Sequence, residues 1–166
     1  IAFAALKHGN QKMPTGLPYV VHLSNVAMEV FMTHKKEPNF NIELAIQLAL
    51  LHDVLEDTPL SFKELEDTFG NIVATGVLAL TKNASLDKKD QMQDSLARIV
   101  KQGKEVAIVK LCDRITNLQK PPLKWDNDKI KKYHLQATQI AETLQGKNSY
   151  LDNRIQEKIK AYTAFV

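Results

Sequence analysis

The stretch Ala49-Leu50-Leu51-His52-Asp53-Val54-Leu55-Glu56-Asp57-Thr58 delivers four ionisable side chains at the end of an apolar helical run that begins at Ala45, and Pro59 then stops it. Ionisable groups at the buried end of a helix are costly unless something compensates their charge. A divalent cation does so most economically. His52 and Glu56 are four residues apart, as are Asp53 and Asp57, so within a continuous helix each pair shares a face. The adjacent His52 and Asp53 can turn inward together only if other segments meet them.

A second stretch, Lys110-Leu111-Cys112-Asp113-Arg114-Ile115-Thr116-Asn117, repeats the pattern: charge follows an apolar helical run, and Asn117 lies one turn beyond Asp113. Taken alone, Asp113 reads equally well as an aspartate paired with Lys110 or Arg114. His22, near the start of another apolar helix, reads alone as a core or surface histidine. Beside His52-Asp53 they become a set. Two imidazoles and two carboxylates (His22, His52, Asp53, Asp113) suit a divalent metal of intermediate hardness, Mn²⁺, Fe²⁺, Co²⁺ or Zn²⁺, with positions open for water and a substrate oxygen. Mg²⁺ alone would prefer oxygen donors. Such an ion lowers the pKa of bound water and polarises a phosphoryl oxygen. Glu56 and Asp57, one turn on, are placed to accept that water's proton. Lys12, Lys110, Arg114 and Lys129 are cations that could neutralise phosphate.

The elements that must position these groups are helices. Residues 1–12 read as a short helix and 13–18, with Pro14, Gly16 and Pro18, as a loop. Apolar residues at helical spacing run from Tyr19 to about Lys35; Asn41 is an N-cap for a helix from Ile42 to Glu56. Ser61 and Glu64 form a capping box opening a helix to Phe69, ended by Gly70. Further helices are expected over 71–81, 91–101, 105–118, 127–145 and 149–165. The polar segment 82–90 is expected to be a mobile loop, and 119–126, with Pro121 and Pro122, a loop as well. The run Val106-Ala107-Ile108-Val109 resembles a strand, but its continuation through Leu111, Ile115 and Leu118 favours helix. No strand pair alternates, so the class is all-α. His8 is expected to be structural, and His34 and His134 to be solvated.

The 166 residues suffice for one domain with its own core. A hydrophobic content of 44% with 25% charged residues argues against disorder. A net charge of +3, with acids and bases interspersed, argues against nucleic acid as the partner and leaves room for an anionic small molecule held by a local basic patch. The one cysteine, Cys112, excludes an intrachain disulfide and a cysteine-rich zinc site, and makes a reducing, cytoplasmic setting the expectation. No apolar run approaches the ~20 residues of a membrane span, and no signal peptide is visible.

The extended pattern, H…HDxxED…D on successive helices, resembles the HD superfamily of metal-dependent phosphohydrolases. More narrowly it is similar to the hydrolase domain of the RelA/SpoT family and its small stand-alone, Mesh1-like relatives. Lys7-His8, Gly16, Pro18-Tyr19 and His22 match the family's KH…G-x-PY-x-x-H, and residues 49–58 its ALLHD-x-x-EDT. Phe69-Gly70 and Thr81 match its FG and following threonine. Val109-Lys110-Leu111, Asp113 and Asn117-Leu118 match VKLAD-x-x-x-NL, with Cys112 in place of alanine; Trp125 and Tyr133 match a late W-x₇-Y pair. The resemblance implies an all-helical HD-domain bundle holding Mn²⁺ or another divalent transition metal through His22, His52, Asp53 and Asp113. It implies removal of the 3′-pyrophosphate of ppGpp or pppGpp, with Glu56-Asp57 serving the attacking water. It places Tyr19 and Lys12 at the substrate, Asn117 at the ribose-phosphate, and Tyr133 with Lys129 at the phosphates. Where the family carries Arg-Lys before G-x-PY, to hold the base, this sequence reads Gln11-Lys12-Met13-Pro14-Thr15-Gly16. Lysine does not reproduce the stacking plane of arginine. An HD-type phosphohydrolase of another nucleotide or dinucleotide phosphate is therefore the alternative, and a non-catalytic nucleotide sensor a further one. The length leaves no room for the family's synthetase domain, so hydrolysis alone is expected.

Overall fold

The computed structural model describes residues 1–166 as ten α-helices and a terminal 3₁₀ turn, with no strand beyond one isolated bridge between Lys12 and Pro18. The helices are α1 (Ala2–His8), α2 (Val20–Lys36), α3 (Ile42–Leu51), α4 (Val54–Asp57), α5 (Phe62–Phe69), α6 (Asn71–Leu80), α7 (Gln91–Ile99), α8 (Lys104–Asn117), α9 (Asn127–Leu144) and α10 (Ser149–Tyr162). None is long and apolar enough to cross a membrane.

The bundle is organised around α8. Ten consecutive residues of α8, Val106 to Ile115, are buried, because α2, α3, α6, α9 and α10 all pack against it. A helix covered on every side has no polar stripe, which is why its first residues resemble a strand in sequence. α2 and α3 pack on each other as well as on α8. The three helices that carry the candidate ligands are therefore the three that meet at the centre. One continuous hydrophobic cluster runs from Ala4 to Tyr162. α10 is tied to α2 by Arg154, which donates from Nη2 to Glu29 Oε2 at 2.9 Å and from Nε to Oε1.

Local signals set the ends of the helices. Asn41 caps α3 by accepting from Leu44 N at 3.1 Å, and Ser61 and Glu64 form the reciprocal capping box of α5. Asp126 and Asn148 cap α9 and α10 in the same way. The largest departure from the sequence reading is at residues 52–53. The helix expected from Ile42 to Glu56 is interrupted there and resumes as the single turn α4. His52 Nδ1 donates to Ala49 O at 2.8 Å, and Asp53 takes φ −105°, ψ −1°, outside regular helix. α1 also stops four residues early, at Gly9, whose φ of +52° suits glycine. His34 and His134 are not freely solvated: each is half-buried, His34 edge-on to Phe40 and His134 stacked on Tyr162.

Gly76 marks where α6 crosses α3. A Cβ there would lie 2.6 Å from Leu48 Cδ2 and 3.3 Å from Val106 Cγ2, both on fully packed side chains. Gly76→Val is expected to destabilise the fold by about 1–3 kcal/mol through overpacking, read as a lowered urea midpoint with unchanged slope.

Candidate metal centre and cavity

The break after α3 is what builds the site. Consecutive residues of a regular helix point about 100° apart, so an unbroken helix would send His52 and Asp53 to different neighbours. With the ladder interrupted, both reach the junction of α2 and α8. His52 Nε2 lies 2.9 Å from Asp53 Oδ2, 3.3 Å from His22 Nε2 and 3.7 Å from Asp113 Oδ1. His22 Nε2 lies 3.4 Å from Asp113 Oδ1 and 3.8 Å from Asp53 Oδ2. Two donors about 2.1 Å from one ion and roughly a right angle apart stand about 3 Å from each other. The separations among His22, His52 and Asp113 fall in or just above that range, so these three can share one cation, with Asp53 Oδ2 beside the two histidines at the edge of the set. His22, His52 and Asp113 are buried and converge within 4.8 Å.

Neighbouring groups fix the orientation of the ligands. The Nδ1 proton of His52 goes to the Ala49 carbonyl, which turns Nε2 toward the cluster. Tyr19 donates its hydroxyl proton to Asp53 Oδ2. Asn117 donates from Nδ2 to Asp113 Oδ1 at 2.6 Å, and Lys110 Nζ lies 3.4 Å from Asp113 Oδ2. Of the two partners conceivable for Asp113, the fold selects Lys110.

Burial disfavours charge on every member of this cluster, and mutual pairing outweighs it. Burial pushes the His52 pKa down, but the carboxylates of Asp53 and Asp113 hold it well above its ordinary value. Burial would raise Asp53, yet the His52 charge brings it down to about 2. Asp113 is likewise held well below the usual carboxylate range, by Lys110 first and then the histidines. Burial, with Asp53 beside it, keeps the Tyr19 phenol protonated far beyond its usual range.

A cavity of about 300 Å³ opens over the cluster. Tyr19, His22, Asp53, Glu56, Asp57, Asp113, Asn117 and Tyr133 line it, together with Lys110 and Arg114. Glu56 and Asp57 stand at its mouth, each held from outside. Lys82 binds Glu56 through its backbone N–H at 3.0 Å and its Nζ at 2.6 Å. Burial opposes the Lys82 charge, but Glu56 holds its pKa above the ordinary value. Gln11 donates to Asp57 Oδ2 at 2.9 Å and accepts from His8 Nδ1 at 2.7 Å. His8 thus has the structural place expected of it, behind Asp57.

Two residues predicted at the substrate stand elsewhere. Lys12 is exposed and outside the cavity, because the Lys12–Pro18 bridge turns the loop so that Met13 and Pro14 face inward. Lys129 lies over the Trp125 ring at 4.6 Å and lines a separate shallow hollow with Lys132 that meets the main cavity at Tyr133 and Gln136. Lys82, Met92 and Gln136 line the cavity without having been anticipated. Lys82 falls in a polar loop stretch and Gln136 on an amphipathic helix, and neither carries a local signal in sequence.

A family model described as an HD domain matches residues 1–145. The chain belongs to the HD-domain family. The guanosine-3′,5′-bis(diphosphate) 3′-pyrophosphohydrolase MESH1 of Danio rerio is 34% identical to this HD-domain protein over 163 residues, 95% of this chain and 88% of the relative. The enzyme of that name from Homo sapiens is 32% identical over 164 residues, 95% and 89% of the two chains. A solved structure described as a metazoan ortholog of SpoT that hydrolyses ppGpp superposes with a TM-score of 0.82 at 30% identity, covering 96% of this chain and 91% of that one. Membership in the family implies a divalent metal, and the histidine–aspartate cluster fits one in donor type and spacing.

Because His52 holds a proton above its ordinary pKa in the metal-free protein, a binding cation must displace that proton. Metal affinity is therefore expected to fall as pH falls, by about tenfold per pH unit below the His52 pKa. Titration calorimetry with Mn²⁺ in buffers of differing ionisation enthalpy would register the released proton; a pH-independent affinity would contradict the pairing described.

Proposed function

We propose that this HD-domain protein is a metal-dependent guanosine-3′,5′-bis(diphosphate) 3′-pyrophosphohydrolase, converting ppGpp and water to GDP and pyrophosphate, with Mn²⁺ at the histidine–aspartate cluster. The observation that carries this is the coincidence, in one cavity, of His22, Asp53 and Asp113 with the Glu56-Asp57 pair, His52 lying directly behind them. The one-third identity to MESH1 over nearly the whole chain supports it. His22, His52, Asp53 and Asp113 hold the ion. Once bound, the ion lowers the pKa of water and polarises a phosphoryl oxygen.

The chain's own residues do the rest. Glu56 or Asp57 accepts a proton of the water that attacks the 3′-linked phosphorus, the bond from that phosphorus to the 3′ oxygen breaks, and the 3′ oxygen takes up a proton from the same carboxylate or from solvent to become the hydroxyl of GDP. Lys82 and Gln11 keep the two carboxylates at the cavity mouth, where a proton can leave to solvent. Tyr19 and Asn117 act through the ligands they hold, Asp53 and Asp113, and Asn117 keeps its Oδ1 for the nucleotide. Tyr133, pushed up to about 12 by burial, stays protonated and can donate to a phosphate. Lys129 contributes charge from the neighbouring hollow. Residues 1–166 act as one catalytic unit on a small nucleotide, without nucleic acid or membrane. A cytoplasmic setting is the reading supported by the buried, unpaired Cys112 thiol.

One observation favours a neighbouring substrate. The wall that the family lines with arginine is formed here by Met13 and Pro14, which offer a base an apolar contact and no guanidinium plane. A phosphohydrolase of a different nucleotide is the second reading.

With Mn²⁺ added, the protein is expected to release pyrophosphate and GDP from ppGpp, and Asp53→Ala to abolish it. Glu56→Gln and Asp57→Asn should each lower kcat about 10²-fold or more, in keeping with loss of a proton acceptor. Tight ppGpp binding without turnover would make the protein a sensor. Turnover of another nucleotide phosphate in a panel at equal enzyme concentration, with ppGpp untouched, would favour the second reading.

A further inference from the structure

Three cations line the cavity, and they are not equivalent. Lys82 Nζ is 2.6 Å from Glu56, and Lys110 Nζ is 3.4 Å from Asp113. Arg114 has no carboxylate partner at all. It is 5% exposed, its Nε and Nη1 are shut off from solvent without a hydrogen-bond partner, and its side chain lines the cavity. By elimination Nη2 is the nitrogen that keeps contact with the cavity. A buried, unpaired guanidinium is among the least favourable groups a fold can contain. Tyr133 holds it in place. The guanidinium carbon lies 4.1 Å from the centre of the Tyr133 ring, and that ring is itself wedged between Trp125 at 5.1 Å and Tyr162 at 6.0 Å. Stacking satisfies the face of the guanidinium and none of its N–H donors.

The neighbouring residue, Asp113, is a member of the metal cluster. Arg114 and Asp113 line the same cavity, and a charged planar donor on its wall, fixed by an aromatic ring and lacking an anion, is a site for an oxyanion that spans metal and arginine. We propose that Arg114 is a substrate-binding residue that takes an oxygen of the diphosphate under attack, and that the missing anionic partner of the guanidinium is that diphosphate. The assignment rests on the function proposed above. It makes Arg114 the cavity's phosphate clamp, with Lys82 and Lys110 committed to protein carboxylates. Arginine suits this role because its N–H groups match phosphate geometry and its charge persists at any working pH. Conformational freedom is removed before the substrate arrives, so the ordering cost on binding is low.

The test separates a ligand-binding arginine from a structural one. Arg114→Met keeps the volume and the contact with Tyr133 but removes the charge. In the metal-free protein its Tm is expected to be unchanged or higher, because an uncompensated buried charge has been deleted. In the Mn²⁺-loaded protein its affinity for inorganic pyrophosphate, read by calorimetry, is expected to weaken at least tenfold. Its kcat/KM for ppGpp should fall about 10²–10³-fold, the effect of losing one donor to a developing charge. The factor should be the same for the analogue with a single 5′-phosphate, because Arg114 serves the 3′ end. Unchanged pyrophosphate affinity would overturn the assignment, as would a loss of activity that disappears with the shortened 5′ end. Arg114→Gln provides the same readouts should the Met variant fail to fold. Pyrophosphate binding requires no turnover. A parent protein that bound pyrophosphate through Arg114 yet left ppGpp intact would sink the proposed activity and leave this site standing.

Discussion

The structure depends on concentrating like charge where water is scarce. Asp53 and Asp113 bring two carboxylates onto the same pair of imidazole nitrogens, at separations of 2.9–3.8 Å, against the most completely buried helix of the bundle. Such an arrangement persists only if the negative charge is answered. In the metal-free chain a proton on His52 answers it, together with Lys110 beside Asp113 and the Tyr19 hydroxyl on Asp53. A dication answers it better, and the donor set is shaped for one. Folding energy from the surrounding hydrophobic cluster holds the acids in place, so the site is strained electrostatically until it binds something.

That constraint explains the helix break. A continuous helix over residues 42–56 would satisfy backbone hydrogen bonding, and the sequence supports one. The His52 ring nevertheless bonds back to Ala49 O, and Asp53 leaves helical geometry, so that adjacent residues can share one target. The interrupted ladder is capped by α4, whose single turn delivers Glu56 and Asp57 to the cavity mouth. A local loss of regularity is the means by which four consecutive functions fit within six residues.

Behind the ligands stands a layer of residues whose contacts are indirect. Gln11 links His8 to Asp57, Lys82 grips Glu56, Asn117 steadies Asp113, and the Trp125–Tyr133–Tyr162 aromatics hold Arg114. These contacts come from separate parts of the chain, as far apart as residues 8 and 162. They convert a cluster of donors into a cavity with a polar floor at the histidine–aspartate cluster, carboxylates at the mouth and one unmatched cation on the wall.

The sequence by itself determined the helices, their caps at Asn41 and Ser61, and the residue types of the metal cluster. Those rest on local rules: apolar spacing, side chains that satisfy free backbone N–H groups, and donors whose chemistry allows few alternatives. The tertiary structure alone decided the rest. It broke the helix at His52-Asp53, because the convergence of α2 and α8 outweighed local helix propensity there. It chose Lys110 over Arg114 for Asp113, since three residues along a helix brings side chains together and one residue does not. It turned Met13 inward and Lys12 outward through a bridge to Pro18, and it brought Lys82 across to Glu56. Each of these is a contact between segments distant in the chain, and no local pattern of residues encodes which of several equivalent cations will find the acid.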